Sequence, residues 1–364
     1  MKTLTVTFYD NSNYGANFQM FALNRTIRQM GHENLVLSFA GHRETMKKER
    51  KIYKSPKAFL RDVVLSYFYK IRKKEAQALT QSFKDFKENN IEFTRRYTSM
   101  EDLRNDPPMV DCMITGSDQV WNMTTNPPMI PSRFLDFGNP NAIRFSFAAS
   151  IENMSYTQEQ KDYAKKALAA FKGITLREES ACKFIESFTG YEAKHIMDPV
   201  FLLDKKEWLG IAKKPRIEGP YILCYQVLRN NAMQSVVNSL KKQTGLPTVA
   251  ICNMPFRWIR TDFSFFDVSP EEFLGLYNGA ACIVTTSFHG TAMGVLFNKP
   301  TYSLCRNISS NRIKDLMKFV GLEDYVVGSD DSIKQRNIDW DGINEKLEQE
   351  RKKSKQFLQK MLSE

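Results

Sequence analysis

No run of about eighteen consecutive apolar residues occurs anywhere in the 364 residues, so no helix is expected to cross a bilayer. The opening stretch, Met1 to Asp10, turns polar too early for a secretory leader. Cysteine and histidine are sparse, six and four in all. The cysteines (112, 182, 224, 252, 282 and 305) are scattered, and none forms a Cys-x-x-Cys pair. With so few histidines, no structural zinc site is expected and no metal is assigned. Cys112, Cys224 and Cys282 sit in apolar, strand-like runs and are read as buried free thiols of a cytosolic protein. The three-glycine dinucleotide fingerprint is missing, and so is any Gly-x-x-x-x-Gly-Lys-Ser/Thr loop. Both absences remove support for NAD-dependent and P-loop chemistry. There is no internal repeat and no low-complexity linker.

What is present is enough apolar residue (42%) and aromatic residue (12%) to build real cores, at an ordinary charged share of 26%. A single core seldom grows past about 250–300 residues, so the length suggests two domains. Lysine and arginine number 52 against 41 acids, a formal charge of +11. That surplus hints at an anionic partner: phosphate, nucleic acid or a membrane surface. It is unevenly spread. Residues 43–104 carry 17 basic and 9 acidic side chains, net +8.

Alternating strand and helix patterns run along the chain. Leu4–Tyr9 reads as a buried strand, and Ala16–Met30 as a helix closed by Gly31. Leu35–Phe39 follows as a second strand, the opening of a βαβ unit. Pro56–Lys74 shows apolar residues at spacings of three and four, flanked by Lys57, Arg61, Lys70, Arg72, Lys73 and Lys74, which predicts an amphipathic helix. Phe83–Phe93 reads as another helix. Val110–Thr115, Ile143–Ala149, Tyr221–Tyr225, Thr248–Cys252, Ala281–Thr285 and Pro300–Leu304 read as strands. Ser269-Pro270-Glu271-Glu272 carries a capping box and a proline at the first helical position. The expected class is α/β, with two doubly wound domains. Residues 1–203 form the first, with a basic amphipathic insertion at about 43–104; residues 204–335 form the second; residues 336–364 form a charged helical segment.

Ligands in open parallel sheets bind beyond the C-terminal ends of strands, near helix N-termini. Four segments fall at such places: Asn13–Gly15, Gly116–Asn122, Leu176–Ser180 and Thr286–Thr291. The last delivers Thr285, Thr286 and Ser287 from a strand to a turn, followed by His289 and Gly290. Amides and hydroxyls at a helix start suit a phosphate or carboxylate, and an imidazole can move protons near neutral pH. The same pattern fits a histidine that only caps. Arg177, at a strand end, is suited to two-point contact with an anion, or to a surface pair with a neighbouring glutamate. Gly116–Asn122 mixes an acid, two amides and an indole. It fits either sugar binding or a structured turn with Trp121 in the core. Asn13-Tyr14-Gly15 fits a helix entry, and Asp198 before Pro199 a turn.

Taken in order, Asn13-Tyr14-Gly15-Ala16-Asn17-Phe18-Gln19, Gly116-Ser117-Asp118-Gln119-Val120-Trp121-Asn122, Ser146-Phe147-Ala148-Ala149-Ser150, Arg177-Glu178-Glu179-Ser180, Asp198-Pro199 and Ser287-Phe288-His289-Gly290 resemble the polysaccharide pyruvyl transferase family, over roughly residues 10–305. The resemblance implies two Rossmann-like domains facing a cleft, as in GT-B glycosyltransferases. It implies transfer of pyruvate from phosphoenolpyruvate to two hydroxyls of a sugar, giving a cyclic ketal on a surface polysaccharide or its precursor. His289 matches the catalytic histidine. Arg177, Ser287, Phe288, Gly290 and Thr291 fall on the donor side. Asn13, Tyr14, Asn17, Gln19, Asp118, Gln119, Trp121 and Asn122 fall on the acceptor side. Where relatives carry an arginine two places before the histidine, this chain has Ser287. Arg257, Arg260, Arg306 and Arg312 are the candidate substitutes for that charge.

No cofactor is expected beyond phosphoenolpyruvate as co-substrate, and nucleic acid is not an expected partner. The acceptor is a saccharide, with a polyprenyl-diphosphate-linked precursor as the sharper version. In that version the basic segment 57–74 touches the anionic inner face of a membrane. A nucleotide-sugar glycosyltransferase on the same architecture and a non-catalytic basic membrane-binding module remain the alternatives.

Overall fold

The structure is a computed structural model that describes residues 1–9, 12–39, 56–124, 127–151, 154–252, 254–255, 258–305, 311–328, 333 and 336–363. The chain opens with β1 (Lys2–Val6), α1 (Tyr14–Gln29) and β2 (Glu33–Val36). Two consecutive helices follow, α2 (Pro56–Ile71) and α3 (Lys73–Asn90). Then come β3 (Glu92–Phe93), the short α4 (Met100–Asn105), β4 (Cys112–Thr115), the single turn α5 (Ile130–Arg133) and β5 (Ile143–Ser146). Helix α6 (Gln158–Leu168), β6 (Thr175–Leu176), α7 (Glu179–Thr189) and β7 (Lys194–His195) lead to a 3-10 turn at Pro199–Leu202. The remainder holds α8 (Lys205–Leu209), β8 (Ile222–Gln226), α9 (Met233–Thr244), β9 (Thr248–Cys252) and β10 (Phe263–Phe265). It ends with α10 (Pro270–Gly279), β11 (Cys282–Thr285), α11 (Phe288–Leu296), β12 (Thr301–Ser303), α12 (Asn311–Phe319) and α13 (Trp340–Ser363).

Two compact units result. One comprises Met1–Arg50, Glu88–Leu203 and Leu347–Glu364; the other comprises Lys51–Lys87 and Asp204–Lys346. The first contains a parallel sheet in the order β3-β2-β1-β4-β5, the second a parallel sheet in the order β10-β9-β8-β11-β12. In each, the chain winds outward on one side of its first strand and then on the other. That is the doubly wound, Rossmann-like pattern, with a switch point between β1 and β4 in the first unit and between β8 and β11 in the second. The α/β class expected from the sequence is present twice.

The strands beside these switch points are apolar up to a closing threonine: Cys112–Thr115 and Cys282–Thr285 are buried at every position. Helices cover both faces of such sheets, so continuous hydrophobic runs replace alternation. All six cysteines are free, and Cys112, Cys182, Cys224 and Cys282 are buried. Burial pushes the Cys112 and Cys282 thiols up to about 12, so both stay protonated.

Several boundaries differ from the sequence reading. The basic stretch 43–104 does not stay with one unit: α2 and most of α3 cluster with the second, where Tyr69 and Arg72 pack on Phe266. The predicted helix Phe83–Phe93 belongs to the longer α3, and its last two residues form β3 instead. The terminal helix is not a separate segment. From Leu347 onward it clusters with the first unit, where Leu358, Met361 and Leu362 join Phe145, Phe147 and Leu202 in one core. At α10 only half of the capping box forms. Ser269 accepts from the Glu272 amide at 3.1 Å, but the Glu272 carboxylate is taken by Arg216 at 2.5 and 2.6 Å.

Candidate functional site

In the second unit, β11 ends at Thr285 and α11 begins at Phe288. His289 therefore stands in the first helical turn rather than in a loop. Ser287 is the N-cap, its hydroxyl accepting from the Gly290 amide at 3.2 Å. The helix lies very close to the sheet. A Cβ on Gly290 would meet Thr285 Oγ1 at 2.5 Å, and one on Gly294 would meet Thr301 Oγ1 at 2.1 Å, so glycine is needed for approach at both positions.

Thr286 locks this turn to the neighbouring one. Its hydroxyl accepts from the Val227 and Leu228 amides at 3.1 and 3.3 Å and lies 3.2 Å from the Leu228 carbonyl. The β8–α9 and β11–α11 connections, one on each side of the switch point, are thus held together by one side chain. A fixed helix N-terminus at such an edge offers positive dipole to an anion.

The residues assigned to the donor divide by accessibility. Phe288 and His289 are half-buried in the first turn of α11, with their rings edge to face at 5.2 Å and the His289 Nε2 atom itself buried. Gly290 and Thr291 are buried. The Thr291 hydroxyl donates to the Ser287 carbonyl at 3.0 Å and lies 2.8 Å from Ser303 Oγ. Ser287 and Thr291 therefore shape the turn with their hydroxyls. Of the substitute arginines, Arg260 is exposed on the β9–β10 connection, where its amide donates to Gln234 at 2.7 Å, and Arg312 lies in α12. Arg257 and Arg306 lie outside the described residues. Sequence reasoning missed Arg229. It is exposed in the β8–α9 connection and follows Leu228, which Thr286 grips. No motif marks it; only the pairing of two distant turns brings it to this edge.

In the first unit the sequence motifs meet in a buried polar network. Asn13 caps α1, accepting from the Ala16 amide at 3.2 Å. Gln19 donates to Thr7 Oγ1 at 2.9 Å, and Thr7 donates to the Ser117 carbonyl at 2.8 Å. Ser117 donates to Asp198 at 3.3 Å, and Arg177 to the same carboxylate at 2.5 Å. Arg177 also lies 3.5 Å from Glu178, whose carboxylate accepts from Ser150 at 2.6 Å. Beside this network, Asp118 and Ala148 adopt left-handed backbone, φ 75° and 53°, in adjacent connections at the C-terminal edge of the sheet. Such strain in residues other than glycine is stored where surrounding contacts over-determine it, commonly at functional sites.

This geometry corrects three expectations. The Arg177 side chain is 2% exposed and committed to Asp198 and Glu178, so it is neither an open anion clamp nor a surface pair. Burial works against its charge, but Asp198, Glu178 and Asp118 outweigh that and hold the guanidinium protonated above its ordinary range. Asp198 is more than a turn residue, since it both caps the 3-10 turn at Val200 and anchors Arg177. Trp121 is wholly in the core, stacked on Phe134 at 5.4 Å and donating to the Arg133 carbonyl at 3.1 Å, which removes it as a sugar platform.

Tyr14, Asn17, Gln19 and Asn122 are likewise buried. Asn13, Asp118 and Gln119 are the acceptor-side residues that reach the surface. Arg133 is a second residue missed by sequence reasoning. It lies buried under the Phe8 ring at 4.5 Å, and burial pushes it down to about 10 against the opposing pull of Asp118. Nothing in its local pattern, Pro131-Ser132-Arg133, separates it from a surface arginine.

Comparison with curated proteins finds no match. Among solved structures, the chain is similar to Staphylococcus aureus MnaA with UDP: 12% identity, 88% of this chain and 82% of that one, TM-score 0.44. It is similar to a UDP-GlcNAc 2-epimerase from Neisseria meningitidis bound to UDP-GlcNAc: 12% identity, 89% and 93%, TM-score 0.42. It is also similar to the Escherichia coli heptosyltransferase WaaC with ADP-2-deoxy-2-fluoro heptose: 12% identity, 84% and 88%, TM-score 0.38. The family model described as polysaccharide pyruvyl transferase matches residues 13–305, a span that begins at the cap of α1 and takes in both switch points and His289, and the chain therefore belongs to the polysaccharide pyruvyl transferase family.

Proposed function

We propose that this transferase moves pyruvate from phosphoenolpyruvate onto two hydroxyls of a sugar, forming a cyclic ketal on a polysaccharide or on its polyprenyl-diphosphate-linked precursor. The observation that carries the reading is His289. It stands half-buried in the first turn of a capped helix, at the switch-point edge of a sheet, in a turn fixed by Thr286.

The donor is a trianion, and its methylene carbon must gain a proton before its central carbon can accept a nucleophile. His289 supplies that proton. The positive end of α11 and Arg229 offset the phosphate and carboxylate charge. The first sugar hydroxyl attacks the oxocarbenium-like carbon and gives up its proton to the imidazole. The carbon–oxygen bond to phosphate then breaks, phosphate leaves with the electron pair, and the second hydroxyl closes the ketal, its proton passing to the departing phosphate, which is released as hydrogen phosphate. On the acceptor side, Asn13, Asp118 and Gln119 are the groups available for sugar hydroxyls. Arg177 acts as a positioning residue, holding Asp198 and through it Ser117 at the start of the Asp118 turn.

The test is to incubate the protein with phosphoenolpyruvate and candidate lipid-linked saccharides, follow phosphate release, and look by mass spectrometry for the gain of one ketal. A parallel arm offers nucleotide sugars and follows nucleotide release. Phosphate release with ketal formation is the expected result; nucleotide release with glycosyl transfer would replace the proposal. His289→Ala should lower turnover by roughly 10²–10⁴-fold with an unchanged melting temperature. Near-normal turnover in that variant would remove His289 from the chemistry.

A further inference from the structure

Helix α2 leaves an apolar stripe in solvent. Val63, Tyr67 and Ile71 are spaced four apart, with Val64 beside them, and are 47%, 63%, 60% and 43% exposed. Residues four apart share one helix face, so these four make a continuous strip. The strip is not the side that holds the helix to its unit. That role falls to Tyr69, 6.1 Å from the Phe266 ring, and to Arg72, whose guanidinium lies 5.1 Å over the same ring. Arg72 also pairs with Glu75 at 3.2 Å, which occupies the nearest acid.

At the C-terminal end of the strip stand Lys70, Lys73 and Lys74, all exposed. Among the described residues, no carboxylate pairs with any of the three. The strip and the charges therefore sit side by side: aliphatic and tyrosine surface running into uncompensated ammonium groups.

We propose that this face of α2, with the lysines at the α2–α3 junction, docks the protein on an anionic lipid surface. A helix that lies in the bilayer interface has this composition: an apolar strip to enter the acyl boundary, tyrosine at headgroup level, and lysines whose long stems follow the strip while their heads meet phosphate. Among the described residues no helix is long and apolar enough to cross a membrane, so the contact lies on the surface. Charge selects the occupant, since an anionic leaflet attracts juxtamembrane lysines and an exposed apolar patch of this kind is otherwise a liability. The inference does not rest on pyruvyl transfer, because it can be read without substrate.

The experiment is co-flotation of the full chain with vesicles of phosphatidylcholine alone and with vesicles containing about one-third phosphatidylglycerol. Binding is expected to the anionic vesicles only and to fall with added salt. Replacing Lys70, Lys73 and Lys74 with Gln should weaken it at least roughly tenfold. Tyr67→Ser with Ile71→Ser should weaken it comparably without changing its salt dependence. Both variants alter surface positions, and a melting curve confirms that each is folded. Absence of flotation, equal flotation with neutral vesicles, or affinity unchanged in both variants would overturn the proposal. So would a self-association seen by light scattering that the Tyr67/Ile71 change abolishes while flotation persists, which would give the strip to a second copy of the chain.

Discussion

Arg177 shows how a residue's role is set by what lies far from it in sequence. Its pairing with Asp198 spans 21 positions, and both side chains are almost fully buried. Breaking a buried pair leaves one charge uncompensated in a low-dielectric interior, which typically costs about 3–5 kcal/mol. Asp198→Ala is expected to destabilise the fold by that amount in denaturant titrations. Replacing Arg177 and Asp198 together with apolar residues, and Glu178 with Gln, should recover part of the loss, because no charge of the cluster is then left without its partner. A single-variant cost under about 1 kcal/mol would mean that the pair is solvated after all. Gly294 makes a steric counterpart. With Thr301 Oγ1 only 2.1 Å from where a Cβ would go, Gly294→Ala should cost about 1–3 kcal/mol, and adding Thr301→Ala should relieve it. An unchanged melting temperature in the single variant would contradict that packing. His289 was legible in the sequence because strand, turn and glycine surround it within a few residues. The burial of Arg177 and Trp121 was not, because the local strings Leu-Arg-Glu-Glu and Val-Trp-Asn look the same inside and outside a core.

At the scale of elements, periodicity recovered what is long or uniformly apolar. Strand β9 matches its predicted bounds, Thr248–Cys252, and α1 begins two residues before the predicted Ala16 because its cap is Asn13. Short pieces escaped. Phe263–Phe265 becomes a strand only through pairing with β9, and no three-residue pattern can announce that. The connection that precedes it is held by Asp262, which accepts from Lys241 at 2.6 and 2.8 Å and from the Thr248 amide and hydroxyl at 2.8 Å each. The Lys241 bond, then those from Thr248, hold its carboxyl down to about 2. An acid held low only in the folded state stabilises fully above its ordinary pKa, and that contribution fades as pH falls through the folded value. The pair is largely exposed, so screening limits it to about 0.5 kcal/mol. Asp262→Asn should therefore lower the melting temperature slightly at pH 6. The difference should shrink between about pH 4 and pH 2, measured by paired thermal scans. A difference that grows in acid would reverse the assigned sign.

At the scale of the molecule, the sequence's charge surplus and its length have separate physical meanings. The +11 is partly local: Lys70, Lys73 and Lys74 gather at one helix junction, whereas Arg133, Arg144 and Arg177 are buried and bound within the first unit. Length predicted two domains but not how the chain would share itself between them. No linear reading could reveal that the first unit closes on residues almost 150 positions beyond its main span. Arg351 donates to the Phe201 carbonyl at 2.8 Å, Phe357 packs edge-on against Phe145 at 5.8 Å, and Leu358, Met361 and Leu362 complete the core around Phe147. Removing residues 347–364 would expose that core and strand the carbonyls that Arg351 satisfies, each costing about 1–3 kcal/mol if left unpaired. The truncated chain is expected to lose hydrogen-exchange protection at the β4 and β5 amides, while β8 and β11, in the other unit, keep theirs. Unchanged protection at Met113–Thr115 and Arg144–Ser146 would show that the first unit stands without its C-terminal helix; equal loss at Leu223–Tyr225 and Ile283–Thr285 would show that the two units unfold as one.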